Sequence, residues 1–216
     1  MCGDLTKMTE RTYGNNINNT ITEYQLEPNN CPSQVFDLKK DKNDELVIVV
    51  VGAHDGVNGE QYGFMKFLDE IENFKLYLIE PIKEWFDKLY EVYGKFRNKV
   101  TYLNYAITEN SGESRMIDQG VMSKIGDGKL VVDTKSWDDF VNENNINKID
   151  ILLLDCEGYE FHILKQIKFE TIPPKNIRYE YLHLPNKGEV DQFLIDKKYS
   201  IELDLTDPEY NKVAKL

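Results

Sequence analysis

No stretch of this chain approaches the ~20 consecutive apolar residues that a membrane-spanning helix needs. The N-terminal segment to Asn30 is polar and lacks the apolar core of a signal peptide. Cysteine is scarce. Cys2, Cys31 and Cys156 are an odd set of three, which fits free thiols in a reducing compartment better than a disulfide framework. A soluble, cytoplasmic protein is expected. Basic charge is also short: 26 Lys and Arg stand against 38 Asp and Glu, a net charge of −12. Nucleic acid is therefore not an expected partner, because phosphate contacts need clustered Lys and Arg. An anionic membrane surface is disfavoured for the same reason. There is no internal repeat, and nothing in the sequence speaks to oligomeric state.

The 216 residues suffice for one large domain with a real core. Residues 1–45 read as a polar lead-in or cap, and 46–216 as the domain proper. Leu46 to Val51 is a continuous, mostly β-branched run ended by Gly52, the signature of a strand buried on both faces of a parallel sheet. Phe64, Phe67, Leu68 and Ile71 recur with helical spacing. Further strands are expected at 76–79, 100–107, 149–154, 176–183 and 199–205. Shorter ones are expected at 113–117 and 130–133. Helices are expected over 82–93, 159–167 and 190–197, with Ser136 capping another that carries Trp137, Phe140 and Val141. Alternation of this kind predicts an α/β fold: a Rossmann-like, doubly wound, seven-stranded, mostly parallel sheet with helices on both faces.

In such sheets ligands sit at the carboxyl ends of the strands, where strand order reverses. That rule selects Gly52 to Gly59 (with Ala53, His54, Asp55 and Gly56), then Glu80 and Pro81, then Ala106 to Glu109, and Asp155 to Gly158. A glycine-rich turn followed by an acidic residue ending the second strand points to an adenosine-containing cofactor, the carboxylate accepting both ribose hydroxyls. The chain has no Gly-Lys-Ser/Thr phosphate loop and no G-x-G-x-x-G dinucleotide turn. Tyr62 and Lys66 make a Y-x-x-x-K pair, but too early in the chain for a dehydrogenase acid–base pair. Asp155 ends an apolar strand, where a carboxylate can hold a cofactor amino group, accept a proton or hold a metal. Cys156 reads as a buried structural thiol.

Val-Gly-Ala-His-Asp-Gly (51–56), Leu-Ile-Glu-Pro (78–81), Asn104-Tyr105-Ala106-Ile107 with Gly112, and Leu-Leu-Asp-Cys-Glu-Gly-Tyr-Glu (153–160) resemble the FkbM-type methyltransferases. The resemblance implies S-adenosylmethionine as cofactor and methylation of a hydroxyl of a sugar or other small polar acceptor, free or on a glycan. It implies that Gly52, Ala53, His54 and Gly56 line the cofactor, that Glu80 binds the ribose and that Ala106 flanks the adenine. Asp155 and Glu157 would face the methyl group and acceptor, and His183 is a candidate base. Glu180 and Ser123 are further candidates for contact with the site. Asp155, Glu157 and Glu180 offer hard oxygen ligands, but the sequence leaves open whether a metal takes part. Two other readings stay open: an NAD- or nucleotide-sugar-binding oxidoreductase on the same half-fold, and a cofactor-binding domain without turnover.

Overall fold

In the computed structural model, which describes residues 36, 44–56, 64–204 and 206–216, the apolar run Leu46–Val51 forms strand β1 and is buried at every position. Its side chains alternate between two cores. Val47, Val49 and Val51 enter one; Leu46, Ile48 and Val50 enter the other. A strand can divide its residues in this way only in the middle of a sheet covered on both faces.

After β1 come α1 (Phe64–Asp69), β2 (Phe74–Ile79), α2 (Lys83–Val92), β3 (Val100–Leu103), β4 (Ala106–Ile107), β5 (Gly112–Ile117), β6 (Lys124–Ile125) and β7 (Leu130–Lys135). They are followed by α3 (Trp137–Glu143), β8 (Ile151–Leu154), α4 (Glu160–Leu164), β9 (Asn176–Glu180), α5 (Lys187–Asp196), β10 (Ser200–Leu203) and β11 (Asn211–Lys215). Seven strands form the main sheet in the order β10-β11-β9-β8-β1-β2-β3. Neighbours run parallel from β3 through β9, and β11 is antiparallel to both β9 and β10. Phe67 and Leu68 of α1 and Phe86 and Leu89 of α2 cover one face. Trp137 and Phe140 of α3, Ile163 and Leu164 of α4, and Val190 and Leu194 of α5 cover the other. Ser136 caps α3 as expected, accepting from the Asp139 backbone N–H at 3.1 Å. Among the described residues no helix is long and apolar enough to cross a membrane.

Three expectations need correction. The run 100–107 is not one strand. It breaks at Asn104, and Ala106–Ile107 leaves the main sheet to pair with β7 in a second, four-stranded sheet, β4-β7-β5-β6. The short strands expected at 113–117 and 130–133 belong to this second sheet, whose small core is Ala106, Met116 and Val132. The chain also does not end on the strand expected at 199–205: β10 stops at Leu203, and β11 inserts between it and β9. Within β11 only Val213 and Ala214 are apolar, too short a run to read as a strand. The third correction is to lengths, since β9 ends at Glu180 and α4 spans only Glu160–Leu164. The lead-in expected over 1–45 lies outside the described residues except Phe36, Asp44 and Glu45, as do Cys2, Cys31, Gly59, Tyr62 and the Lys66 side chain. Phe36 is buried against Phe67, ring centroids 6.3 Å apart.

The turn between β10 and β11 is held from inside. Arg178 of β9 donates from Nε to Asp204, whose other carboxylate oxygen accepts from the backbone and hydroxyl of Thr206 at 2.8 and 2.6 Å. Burial works against the ionised carboxylate. The Arg178 charge and the Thr206 bonds outweigh it and hold Asp204 below the usual carboxylate range. Asp204→Ala leaves a guanidinium buried without this partner and is expected to cost about 3–5 kcal/mol in chemical denaturation. A loss under 1 kcal/mol would mean that the pair does not anchor the hairpin.

Candidate functional site

The register of the central strands sets the site. Val51 lies opposite both Ile79 and Leu154, so β1, β2 and β8 end at one level. Gly52, Glu80 and Asp155 are the next residues of the three strands. They meet at the carboxyl edge where strand order reverses, between β1 and β8. Gly52 sits at φ +83°, and a Cβ placed there would lie 1.7 Å from the Asp155 carbonyl oxygen. Glycine is required here by both the backbone conformation and the close approach of the two turns.

Glu80 is nearly fully buried, with 5% of its surface exposed. Its two oxygens accept from the backbone N–H groups of His54 and Ile82, each at 2.8 Å. The carboxylate thus ties the turn after β1 to the start of α2 as well as facing the cavity. Burial pushes its pKa up to about 7 despite these two donors. Asn104 holds the same segment from the β3 side, donating to the carbonyls of Glu80 and Pro81 at 2.8 and 3.0 Å. The His54 ring lies against Trp85, centroids 4.2 Å apart. Its Nδ1 is 3.3 Å from the Asp55 carboxylate, but neither ring nitrogen makes an aligned hydrogen bond within the protein.

Beyond Asp155, the Cys156 thiol donates to the Val51 carbonyl at 3.6 Å, and burial raises its pKa well above the usual thiol range. It is a neutral thiol in a structural contact. The Cys156 N–H donates to Glu160 at 2.6 Å, and burial pushes that carboxyl up to about 7. Glu157 takes a left-handed backbone conformation, φ +53°. Its carboxylate reaches His183 Nδ1 at 2.9 Å, and Glu180 at the end of β9 reaches the same nitrogen at 2.6 Å.

Most of these residues border one cavity of about 440 Å³. Among the expected residues, Gly52, His54, Glu80, Pro81, Ala106, Ser123, Asp155, Cys156, Glu157, Glu180 and His183 line it. Ala53, Asp55 and Gly56 do not. Ala53 is fully buried in the core under β1. The Asp55 side chain is buried beside His54, and Gly56 faces the Tyr93 ring, which a Cβ would meet at 2.7 Å. The turn therefore meets the cavity through Gly52 and His54. Ala106 reaches it from the second sheet, not from the end of β3. The compact cluster of potential metal ligands among the described residues is Glu157, Glu180 and His183, with His183 in the place expected for Asp155. Sequence reasoning missed Trp85, Met116, Met122, Lys124, Leu182 and Tyr210. Trp85 carried a signal only as part of a helix face, and the others come from loops and the second sheet.

Residues 51–201 match the profile of the methyltransferase FkbM domain. The hexuronic acid methyltransferase AglP of Haloferax volcanii is 26% identical over 95 residues, which are 42% of this chain and 40% of that protein. The crystal structure of an FkbM methyltransferase from Methylobacillus flagellatus KT is similar with a TM-score of 0.58 at 17% identity, over 83% of this chain and 45% of that one. The methyltransferase domain of METTL16 is similar with a TM-score of 0.52 at 8% identity, over 84% of this chain and 63% of that one. The matches thus span less than half the length of both the curated relative and the FkbM structure. The two structural likenesses bear on the fold.

The buried Glu80 predicts a pH signature. Its folded pKa of about 7 lies above the ordinary 4.5, so the folded protein keeps a proton that the unfolded chain has already released. That stabilisation is complete below about pH 4.5 and is lost as pH rises through about 7. Glu160 acts in the same direction. Urea denaturation is expected to show stability falling between pH 5 and 8, with Glu80 contributing on the order of 3 kcal/mol. Glu80→Gln should remove that share of the slope. A slope unchanged in Glu80→Gln would refute the assignment.

Proposed function

The chain belongs to the FkbM methyltransferase family, and on that premise we propose that it is an S-adenosylmethionine-dependent O-methyltransferase acting on a hydroxyl of a sugar or another small polar acceptor. One observation carries the reading. Gly52, Glu80 and Asp155 converge, through strand register, on a single cavity at the switch point of the sheet. The residues present fit the cofactor. The cavity volume lies in the range of small-molecule sites. Each Glu80 oxygen accepts one backbone N–H and retains a lone pair for a ribose hydroxyl. The His54 ring borders the cavity, packed on Trp85. A sugar acceptor is supported by the hexuronic acid methyltransferase relative and by a cavity that mixes carboxylates with apolar side chains such as Met116, Leu182 and Tyr210.

The cofactor supplies an electrophilic methyl on sulfonium sulfur, which leaves as a neutral thioether. The protein's part is to place an acceptor oxygen in line with that methyl carbon and to remove the hydroxyl proton as the carbon–oxygen bond forms. Glu80 and Ala106 flank the adenosine half. Asp155 stands between the two halves, because β8 neighbours β1. Glu157 and His183 stand on the acceptor side. Asp155 is the residue placed to orient the cofactor and to take the acceptor proton.

Calorimetry tests the cofactor half first. S-adenosylhomocysteine should bind and NADH should not. Glu80→Ala, assayed well below its melting temperature, should weaken binding by about 1–3 kcal/mol through unpaired ribose hydroxyls. Binding of NADH in place of S-adenosylhomocysteine would overturn the reading. For the chemistry, nucleotide-sugars and glycans are screened for methyl transfer. Asp155→Asn keeps size but removes charge. It should stay folded and lose about 10²–10⁴-fold in turnover. Near-parental turnover would remove Asp155 from the chemistry.

A further inference from the structure

We propose that Glu157, Glu180 and His183 form a divalent-cation site on the acceptor side of the cavity, and that the ion holds two adjacent oxygens of the acceptor. The three residues come from three segments: the turn after β8, the last position of β9 and the turn before α5. One ligand atom from each lies within 4.8 Å of the other two. The donor set is mixed, two carboxylates and an imidazole, and suits a borderline-to-hard ion such as Mn²⁺ or Zn²⁺.

Two further observations point to a cation. The first is proton counting at His183 Nδ1. Carboxylate oxygens stand 2.6 and 2.9 Å from this one nitrogen, which carries at most one proton and so gives one full hydrogen bond to two acceptors. A cation bound among the three atoms would be ligated by all of them at once. The second is burial beside an open space. The Glu180 side chain is 5% exposed and that of Glu157 14%, and buried carboxylates are held by paired charge or by metal. Lys124, exposed on β6, also borders the cavity and its charge acts on Glu157, whereas Glu180 faces His183. All three residues line the cavity, so the coordination positions left after three protein ligands face the space where an acceptor would sit. Three protein ligands with open positions are the pattern of a site that takes up substrate. The open positions of one ion suit a pair of neighbouring oxygens, as in a vicinal diol or an α-hydroxy acid. Such an ion also answers a problem of charge, because Asp155, Glu157 and Glu180 would otherwise repel an acidic sugar.

The acceptor part of this inference rests on the methyltransferase reading; the cation site does not. The test titrates Mn²⁺ into the metal-stripped full chain, followed by electron paramagnetic resonance and calorimetry, with S-adenosylhomocysteine binding measured on the same samples. One Mn²⁺ per chain is expected, displaced by Zn²⁺. His183→Ala, Glu157→Gln and Glu180→Gln should each weaken Mn²⁺ binding by at least about tenfold while S-adenosylhomocysteine affinity stays within about twofold of the parent's. If buried Glu180→Gln fails to fold, the more exposed His183→Ala and Glu157→Gln decide. No Mn²⁺ or Zn²⁺ binding in a chain that binds S-adenosylhomocysteine, or Mn²⁺ binding unchanged in the variants, overturns the site. Mn²⁺ binding that the variants abolish, in a chain that binds no S-adenosylhomocysteine, upholds the cation site and overturns the methyltransferase reading.

Discussion

The contact on which the rest of the site depends is the near-touch of Gly52 and the Asp155 carbonyl. β1 and β8 are neighbours in the sheet but far apart in sequence, and both turn sharply at the same level. With a Cβ separation of only 1.7 Å, no side chain fits at position 52. The absence of that side chain leaves the backbone at the switch point open, and Glu80 then fixes the turn by accepting the N–H of His54. The cavity is thus a consequence of how two strand ends pass each other. Packing between β1 and β8 and access to the cavity are one constraint.

Around this point the protein gathers carboxylates that folding alone would not favour. Burial raises Glu80 and Glu160 to about 7, and Glu180 lies almost out of solvent at the end of β9. Glu80 and Glu160 each oppose folding at neutral pH more than a neutral side chain of the same shape would. The two cores on either side of the sheet offset that cost, since β1 and β8 are buried at every position and β2 at all but one. Strained positions occur here too. His54 and Glu157 take positive φ without being glycine, and both border the cavity. Stability comes from the sheet, and the strand mouths spend it.

The parts of this structure legible in the sequence are those that repeat a simple physical demand. β1 and β8 must be apolar on both faces, so they read as unbroken apolar runs, and the carboxyl-end rule then located Gly52, Glu80 and Asp155. The second sheet was not legible as a sheet. Ala106–Ile107 follows β3 so closely that both look like one strand, and only the break at Asn104 separates them. β11 was hidden because two lysines interrupt a strand with just two apolar residues. The association of Glu157 and Glu180 with His183 was likewise invisible. In the sequence, Glu157 and Glu180 group with Asp155 as possible ligands and His183 stands apart as a candidate base; only the pairing of β8 with β9 brings the turns after them together.

The same division separates the two ends of the cavity. The end proposed to hold the cofactor is built from strand termini, whose positions follow from register. The opposite end is built from the second sheet, the turn around Gly120–Met122, the turn after β9 that brings Leu182 and the loop before β11 that brings Tyr210. These segments contribute Met116, Met122, Leu182 and Tyr210, with no repeating pattern to announce them. Substitutions there leave β1, β2 and β8 in register. This wall can therefore change while the strand-terminus end stays fixed, and on the proposed function acceptor identity would be written in the residues that sequence periodicity says least about.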